Sequence, residues 1–183
     1  ACLYFTESCG YDCGGDLRFE HIKLKSDAVP VYLAGNFHAL EFGEGFDCDN
    51  TQGQAKQLYV IGGYHSPTSA DLAADRDINI TIDSGKFHRV ICFGHQKGAA
   101  TYTFTGTANV TVNGGRIDRF YGGSTLNHYG GNLNLCVNGG AFSDIYLGGH
   151  AASARRRARR AARRRHCFDA VYQQCARRYR YSA

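Results

Sequence analysis

Tryptophan and methionine are absent from the 183 residues, position 1 included, and proline occurs only twice. A chain that opens on Ala1 reads as a processed product, an excised piece or a translated fragment. So little proline excludes a Pro-rich linker protein. No run of about 18 apolar residues exists, so no membrane-spanning helix is encoded. No secretory leader is visible at the N-terminus, which fits removal or truncation. Missing too are a G-x-S-x-G elbow, a P-loop and an H-E-x-x-H helix, so the common nucleophile, nucleotide and zinc-protease signatures do not apply.

The formal charge of +5 hides a division. Residues 1–150 hold ten Lys/Arg against fifteen Asp/Glu, a net of −5. Residues 151–183 hold eleven Arg and one Asp, a net of +10. The body is mildly acidic and the whole basic excess lies in the tail.

What the chain has in quantity is glycine, with 23 residues, and many of them punctuate a repeat. Three segments read I-T-I-D-S-G (Ile80 to Gly85), V-T-V-N-G-G (Val110 to Gly115) and L-C-V-N-G-G (Leu135 to Gly140). A weaker copy, L-E-F-G-E-G, runs from Leu40 to Gly45. Each is followed by a second signature: Q-L-Y-V-I-G-G, K-F-H-R-V-I-C-F-G-H, R-I-D-R-F-Y-G-G and A-F-S-D-I-Y-L-G-G-H. The unit is strand, Gly turn, strand, Gly turn, variable loop. Periods of roughly 20–50 residues signal stacked repeats, in which neighbours bury what one unit cannot.

Alternation with period two makes both signatures strands. The inward residues are Ile80/Ile82, Val110/Val112 and Leu135/Val137 in the first strand. In the second they are Phe87/Val90, Ile117/Phe120 and Phe142/Ile145. The turns after Asp83, Asn113 and Asn138 carry glycine because the chain must bend there. Asn79, Asn109 and Asn134 align as a side-chain ladder along the stack. Tyr59, Ile91, Tyr121 and Tyr146 align as an outward stripe. That stripe is either a structural ladder or a stacking platform for sugars. The expected fold is all-β, a parallel β-helix with a basic tail that is helical or disordered. The chain divides into a Cys-rich segment 1–16, a repeat domain 17–150 and an Arg/Ala-rich tail 151–183.

The pattern V-T-V-N-G-G-x-I-x-x-F-Y-G-G resembles that of bacterial secreted and surface β-helix repeat proteins, the adhesin-like members of the pectin-lyase-like superfamily. The stretches Gly14 to Leu24 and Val31 to Gly45 resemble the first coils of such proteins. The resemblance spans about Gly14 to His150. It implies right-handed winding and an extracellular setting; glycans or cell-surface polymers are the expected partners, through the outward tyrosine stripe and the loops. It carries over no catalytic residue, and the lyase and polygalacturonase motifs are missing.

Candidate binding residues are the stripe tyrosines Tyr59, Tyr121 and Tyr146. Beside them are His65, His95 and His150, which follow the second Gly turn, with Ser124 in that place in the remaining coil. A histidine column can bind a metal, but this one lacks carboxylates at fixed offsets, and polar turn residues are the plainer reading. Cys9-x3-Cys13, with Cys48 and His21 to complete it, lies loosely within zinc-ligand spacing, but a disulfide among Cys2, Cys9, Cys13 and Cys48, or plain buried thiols, is the plainer reading. Asp118 and Asp144, near Arg89 and Arg119, are the nearest approach to a catalytic carboxylate pair, at shifted repeat positions. No cofactor and no metal is expected, and the chain leans away from enzyme.

From Ala151 to His166 the sequence uses four residue types. Ala and Arg favour helix, and Ala154, Ala158, Ala161, Phe168, Val171, Cys175 and Tyr179 recur at near-helical spacing. The tail thus reads as a helical cap or as a non-native stretch, unable to continue the strand stacks. Arg155, Arg156, Arg157, Arg159, Arg160, Arg163, Arg164 and Arg165 form an anion-binding candidate. Nucleic acid is the less expected partner, since no aromatics interleave them.

Overall fold

Strands begin almost at once in the computed structural model. It describes residues 1–5, 10–26, 30–49, 58–65, 75–95, 103–125, 128–129, 131–148, 156–161, 166–172 and 178–179. The N-terminal strands are β1 (Cys2–Phe5), β2 (Gly10–Asp12), β3 (Leu17–Phe19), β4 (Lys23–Ser26), β5 (Val31–Ala34), β6 (Leu40–Phe42), β7 (Asp47–Asp49) and β8 (Leu58–Ile61). The repeats supply β9 (Ile78–Ile82), β10 (Lys86–Ile91), β11 (Thr103–Phe104), β12 (Thr107–Val112), β13 (Arg116–Tyr121), β14 (His128–Tyr129), β15 (Asn132–Val137) and β16 (Ala141–Tyr146). The tail supplies β17 (Arg156–Ala161), β18 (His166–Tyr172) and β19 (Arg178–Tyr179).

The described residues are all-β, without helix. One sheet runs β3-β6-β9-β12-β15-β18-β17, a second β2-β5-β8-β10-β13-β16-β19, and a third β1-β4-β7. β11 and β14 form a small parallel pair beside them. Up to β16, each strand in the three sheets pairs in parallel with its equivalent in the next turn of chain. This arrangement is compatible with a parallel β-helix.

Register follows the apolar alternation. Leu17, Leu40, Ile80, Val110 and Leu135 make one column, and Phe19, Phe42, Ile82, Val112 and Val137 the next. Leu40, Ile80, Val110, Leu135, Phe42, Ile82 and Val112 are all buried in the main core. Each such side chain contributes about 1.5–3 kcal/mol of burial. On the second sheet Leu33, Val60, Val90, Phe120 and Ile145 face the same core. Phe87 and Val90 are both buried, while His88 and Arg89 between them are half-buried. β10 therefore turns a corner, and its first half lies beside β7, where Lys86 Nζ is 4.0 Å from Asp47 Oδ1. Gly45, Gly85, Gly115 and Gly140 close the turns between sheets at φ of 70°, 109°, 80° and 89°, where a Cβ is strained.

Side-chain ladders tie the coils together. Asn109 Nδ2 donates to Asn79 Oδ1 at 3.2 Å, and Asn134 Nδ2 to Asn109 Oδ1 at 2.8 Å. A second ladder joins the turns: Asn113 Nδ2 donates to Asp83 Oδ1, and Asn138 Nδ2 to Asn113 Oδ1, both at 2.7 Å.

β7 lies in the polar stretch after Phe46, and β14 holds His128 and Tyr129. One expectation changes. The tail is strand where described, not helix: β18 lies antiparallel on β15, β17 on β18, and β19 on β16. The physical reason is the last coil's edge, which offers a row of backbone donors and acceptors. Pairing with it outweighs the helix propensity of Ala and Arg.

Candidate functional site

The outer face of the second sheet carries a cluster of tyrosine, histidine and arginine side chains. Two columns run along it. One is Gly10, Tyr32, Tyr59, Arg89, Arg119 and Asp144. The other is Asp12, Ala34, Ile61, Ile91, Tyr121 and Tyr146. Tyr59 therefore does not share the column of Tyr121 and Tyr146. It stands beside Arg89, two residues off the expected register, and Ile61 takes its place. The long connection between Gly45 and Gln57 had hidden that offset.

The stripe is also not open. Tyr59 and Tyr121 are buried, at 8% and 1% exposure, and they join Ala34, Ile61 and Ile91 in a second apolar cluster. Tyr146 is half-buried against it and stacks on Tyr121 with ring centroids 4.8 Å apart and planes at 9°. A ring this enclosed has no face left for a sugar. Tyr121→Ala is accordingly expected to cost about 3 kcal/mol, in the range for large aromatic truncations. Urea unfolding would read this as a lower midpoint at unchanged slope; an unaltered midpoint would mean that the ring is peripheral.

His65 and His95 do come together. Their rings are parallel within 1° and 5.4 Å apart. Tyr32 lies 4.2 Å from His65 and 5.3 Å from His95. Tyr59 meets His88 edge-on at 5.2 Å and carries the Arg89 guanidinium 5.0 Å from its centroid. His88 Nδ1 lies 3.5 Å from Asp118 Oδ2, an ion-pair distance without hydrogen-bond geometry. Among the described residues, His88 Nδ1, Arg89 Nε and His95 Nδ1 are buried atoms that lack a hydrogen-bond partner. The backbone of Thr125, not Ser124, continues the histidine position, since Thr125 N donates to Gly94 O as His95 N donates to Tyr64 O.

Electrostatics keep these rings neutral. Burial, then His65 and Arg89, lower His95 to about 4. Burial is also the main cause that lowers His65 and His88. Neutral imidazoles stack as aromatics, so near neutral pH the group acts as packing. A depressed histidine favours folding above its unfolded value of 6.5 and loses that contribution as pH falls towards about 4. Stability should therefore be flat above pH 7 and drop by about 3 kcal/mol through this window. His95→Phe should remove much of that slope in urea midpoints taken at pH 7, 5.5 and 4. An unchanged slope would show that His95 does not titrate as buried.

The other candidates are separate. Asp118 accepts from Arg116 Nε at 3.2 Å, and Arg119 aligns with Asp144, so no carboxylate pair stands opposed there. Cys13 and Cys48 are buried in the main core, and burial raises the Cys13 thiol. No group of three or more His, Cys, Asp or Glu converges as metal ligands among the described residues. Arg156, Arg157, Arg159 and Arg160 lie on β17. His150, Arg155, Arg163, Arg164, Arg165 and Cys9 lie outside the described residues. Sequence reading had missed Tyr32 and Arg89 as members of the cluster. The alternation of Tyr32 with Leu33 could have signalled the first of them. No helix among the described residues is long and apolar enough to cross a membrane.

Comparison with protein-family models, curated proteins and solved structures finds no match to this chain.

Proposed function

We propose that the chain is a non-enzymatic structural or adhesive repeat domain, a right-handed parallel β-helix that works outside the cell. The observation that carries this reading is the use of the outward columns. Side chains that could have served a ligand are spent on neighbouring coils: Asn on Asn, Asp83 on Asn113, Tyr121 on Tyr146, His65 on His95. Such columns stiffen a rod and leave little preorganised chemistry on it. The histidines support the same reading, because an imidazole held neutral down to about 4 is a poor general acid near neutrality. Glycans or other surface polymers are the partner class in this proposal.

A glycan array run beside a pectin and uronate depolymerisation assay tests it. The reading expects binding to intact polymer, or none, with no release of unsaturated or reducing ends. Catalytic release of such ends, abolished by Asp118→Asn or Asp144→Asn, would overturn it in favour of a polysaccharide-cleaving enzyme.

A further inference from the structure

Register sets two cysteines opposite one another where β18 meets the last coil. Cys136 of β15 stands directly across from Cys167 of β18. On its other side the column of Cys136 continues to Thr111 and Thr81, so Cys136 belongs to the outward set. The apolar pattern fixes this register. Leu133 stands across from Ala170 and Leu135 across from Phe168, and both leucines are buried in the main core. A slip of β18 by one residue in either direction would set Asp169 against one of those leucines. Cys13, Cys48 and Cys92 are buried in the main core instead, and Cys2 stands in register with Lys23.

We propose that a disulfide joins Cys136 to Cys167 and fastens the tail to the last coil. Directly opposed residues of an antiparallel pair have Cα atoms about 4.5 or 5.5 Å apart and lie on the same face of the sheet. Both separations fall within the span of about 4.4–6.8 Å that a disulfide bridges. Cys136 is half-buried on the outward face, within reach of a small oxidant. The bond also supplies an anchor that the tail's charge does not. β17 carries Arg156, Arg157, Arg159 and Arg160, whose like charges repel. β18 offers them one carboxylate, Asp169, across from Arg159.

A small-molecule disulfide such as oxidised glutathione is the oxidant. The Cys136 thiolate attacks one of its sulfurs, breaks its S–S bond and releases one glutathione thiolate. The Cys167 thiolate then attacks Cys136 Sγ in the mixed disulfide, forms the Cys136–Cys167 bond and releases the second. Two cysteine sulfurs give up two electrons and two protons, and the two glutathione sulfurs take them up. The pairing does not rest on the proposed function, although an oxidising setting outside the cell would preserve it.

Peptide mapping of the full chain, folded in a glutathione redox buffer and alkylated without reduction, tests the bond. Trypsin followed by chymotrypsin separates Cys167 from Cys175, because the second enzyme cuts after Phe168 and Tyr172. The expected product is a Cys136 peptide linked to a Cys167 peptide, two hydrogens lighter than the pair released by reductant. The bond closes a loop of about 30 residues, so reductant should lower the wild-type melting temperature by on the order of 10 °C. The double variant Cys136→Ser, Cys167→Ser should keep the wild-type circular dichroism and lose most of that shift. Mapping needs only the wild type, so it decides the matter even if the variant fails to fold. Cys136 recovered fully alkylated, Cys136 linked to any other cysteine, or a reductant shift undiminished in the double variant would each overturn the proposal.

Discussion

Val112→Asp is expected to abolish cooperative folding. Val112 is 1% exposed and lies between Ile82 and Val137 in an inward column. An aspartate there would sit between two aliphatic side chains with no cationic partner in its column. Leaving a charge buried and unpaired is among the few mechanisms that cost more than about 4 kcal/mol. A domain has a total of about 5–15 kcal/mol to lose. Thr111→Asp, one residue away, changes an outward side chain flanked by Thr81 and Cys136. Its cost should stay near 1 kcal/mol, the span of strand propensity. Urea titration of both variants gives the comparison. Equal tolerance would show that the two faces of β12 have been exchanged.

Gly114→Ala is expected to cost about 3 kcal/mol, against the usual sign of this change. Glycine to alanine at an unstrained position stabilises by about 0.4–1 kcal/mol, because it restricts the unfolded chain. At Gly114 a Cβ would fall 2.2 Å from the Asp83 carbonyl oxygen of the previous coil. That oxygen is backbone, so it can give way only if the turn moves. The turn is fixed in turn by Asn113 on Asp83 and Asn138 on Asn113. Gly14 provides the control, since a Cβ there meets nothing within 4 Å. Gly14→Ala should be neutral or slightly stabilising. If both substitutions behave alike in thermal melts, the coils are not stacked as closely as this turn requires.

The repeats made much of this legible from sequence. Ile80, Val110 and Leu135 recur with their glycines, so the first sheet, its register and the Asn79–Asn109–Asn134 ladder follow from alternation alone. The third sheet does not follow. It forms separate strands only in β1, β4 and β7, and in the later coils its place is taken by the first half of β10, which lies beside β7. The Tyr59 offset was illegible for a related reason, as a connection of variable length separates it from the regular part. Burial of Tyr121 was missed because alternation tells inward from outward, not outward from exposed. A second apolar cluster on the outer face depends on Ala34, Ile61 and Ile91 meeting across coils. The tail misled because composition speaks to propensity, whereas the edge of β15 decides by pairing.

Stacking of successive coils in one register is the claim on which the rest depends. Methyl NOEs in protein labelled at Ile, Leu and Val test it most directly. Parallel neighbours lie about 4.8 Å apart, so in-column methyls fall well within NOE range. Val110 should show NOEs to Ile80 on one side and Leu135 on the other, and Val112 to Ile82 and Val137. Val110 methyls that see neither Ile80 nor Leu135, in a protein that is otherwise folded, would contradict the stacked arrangement.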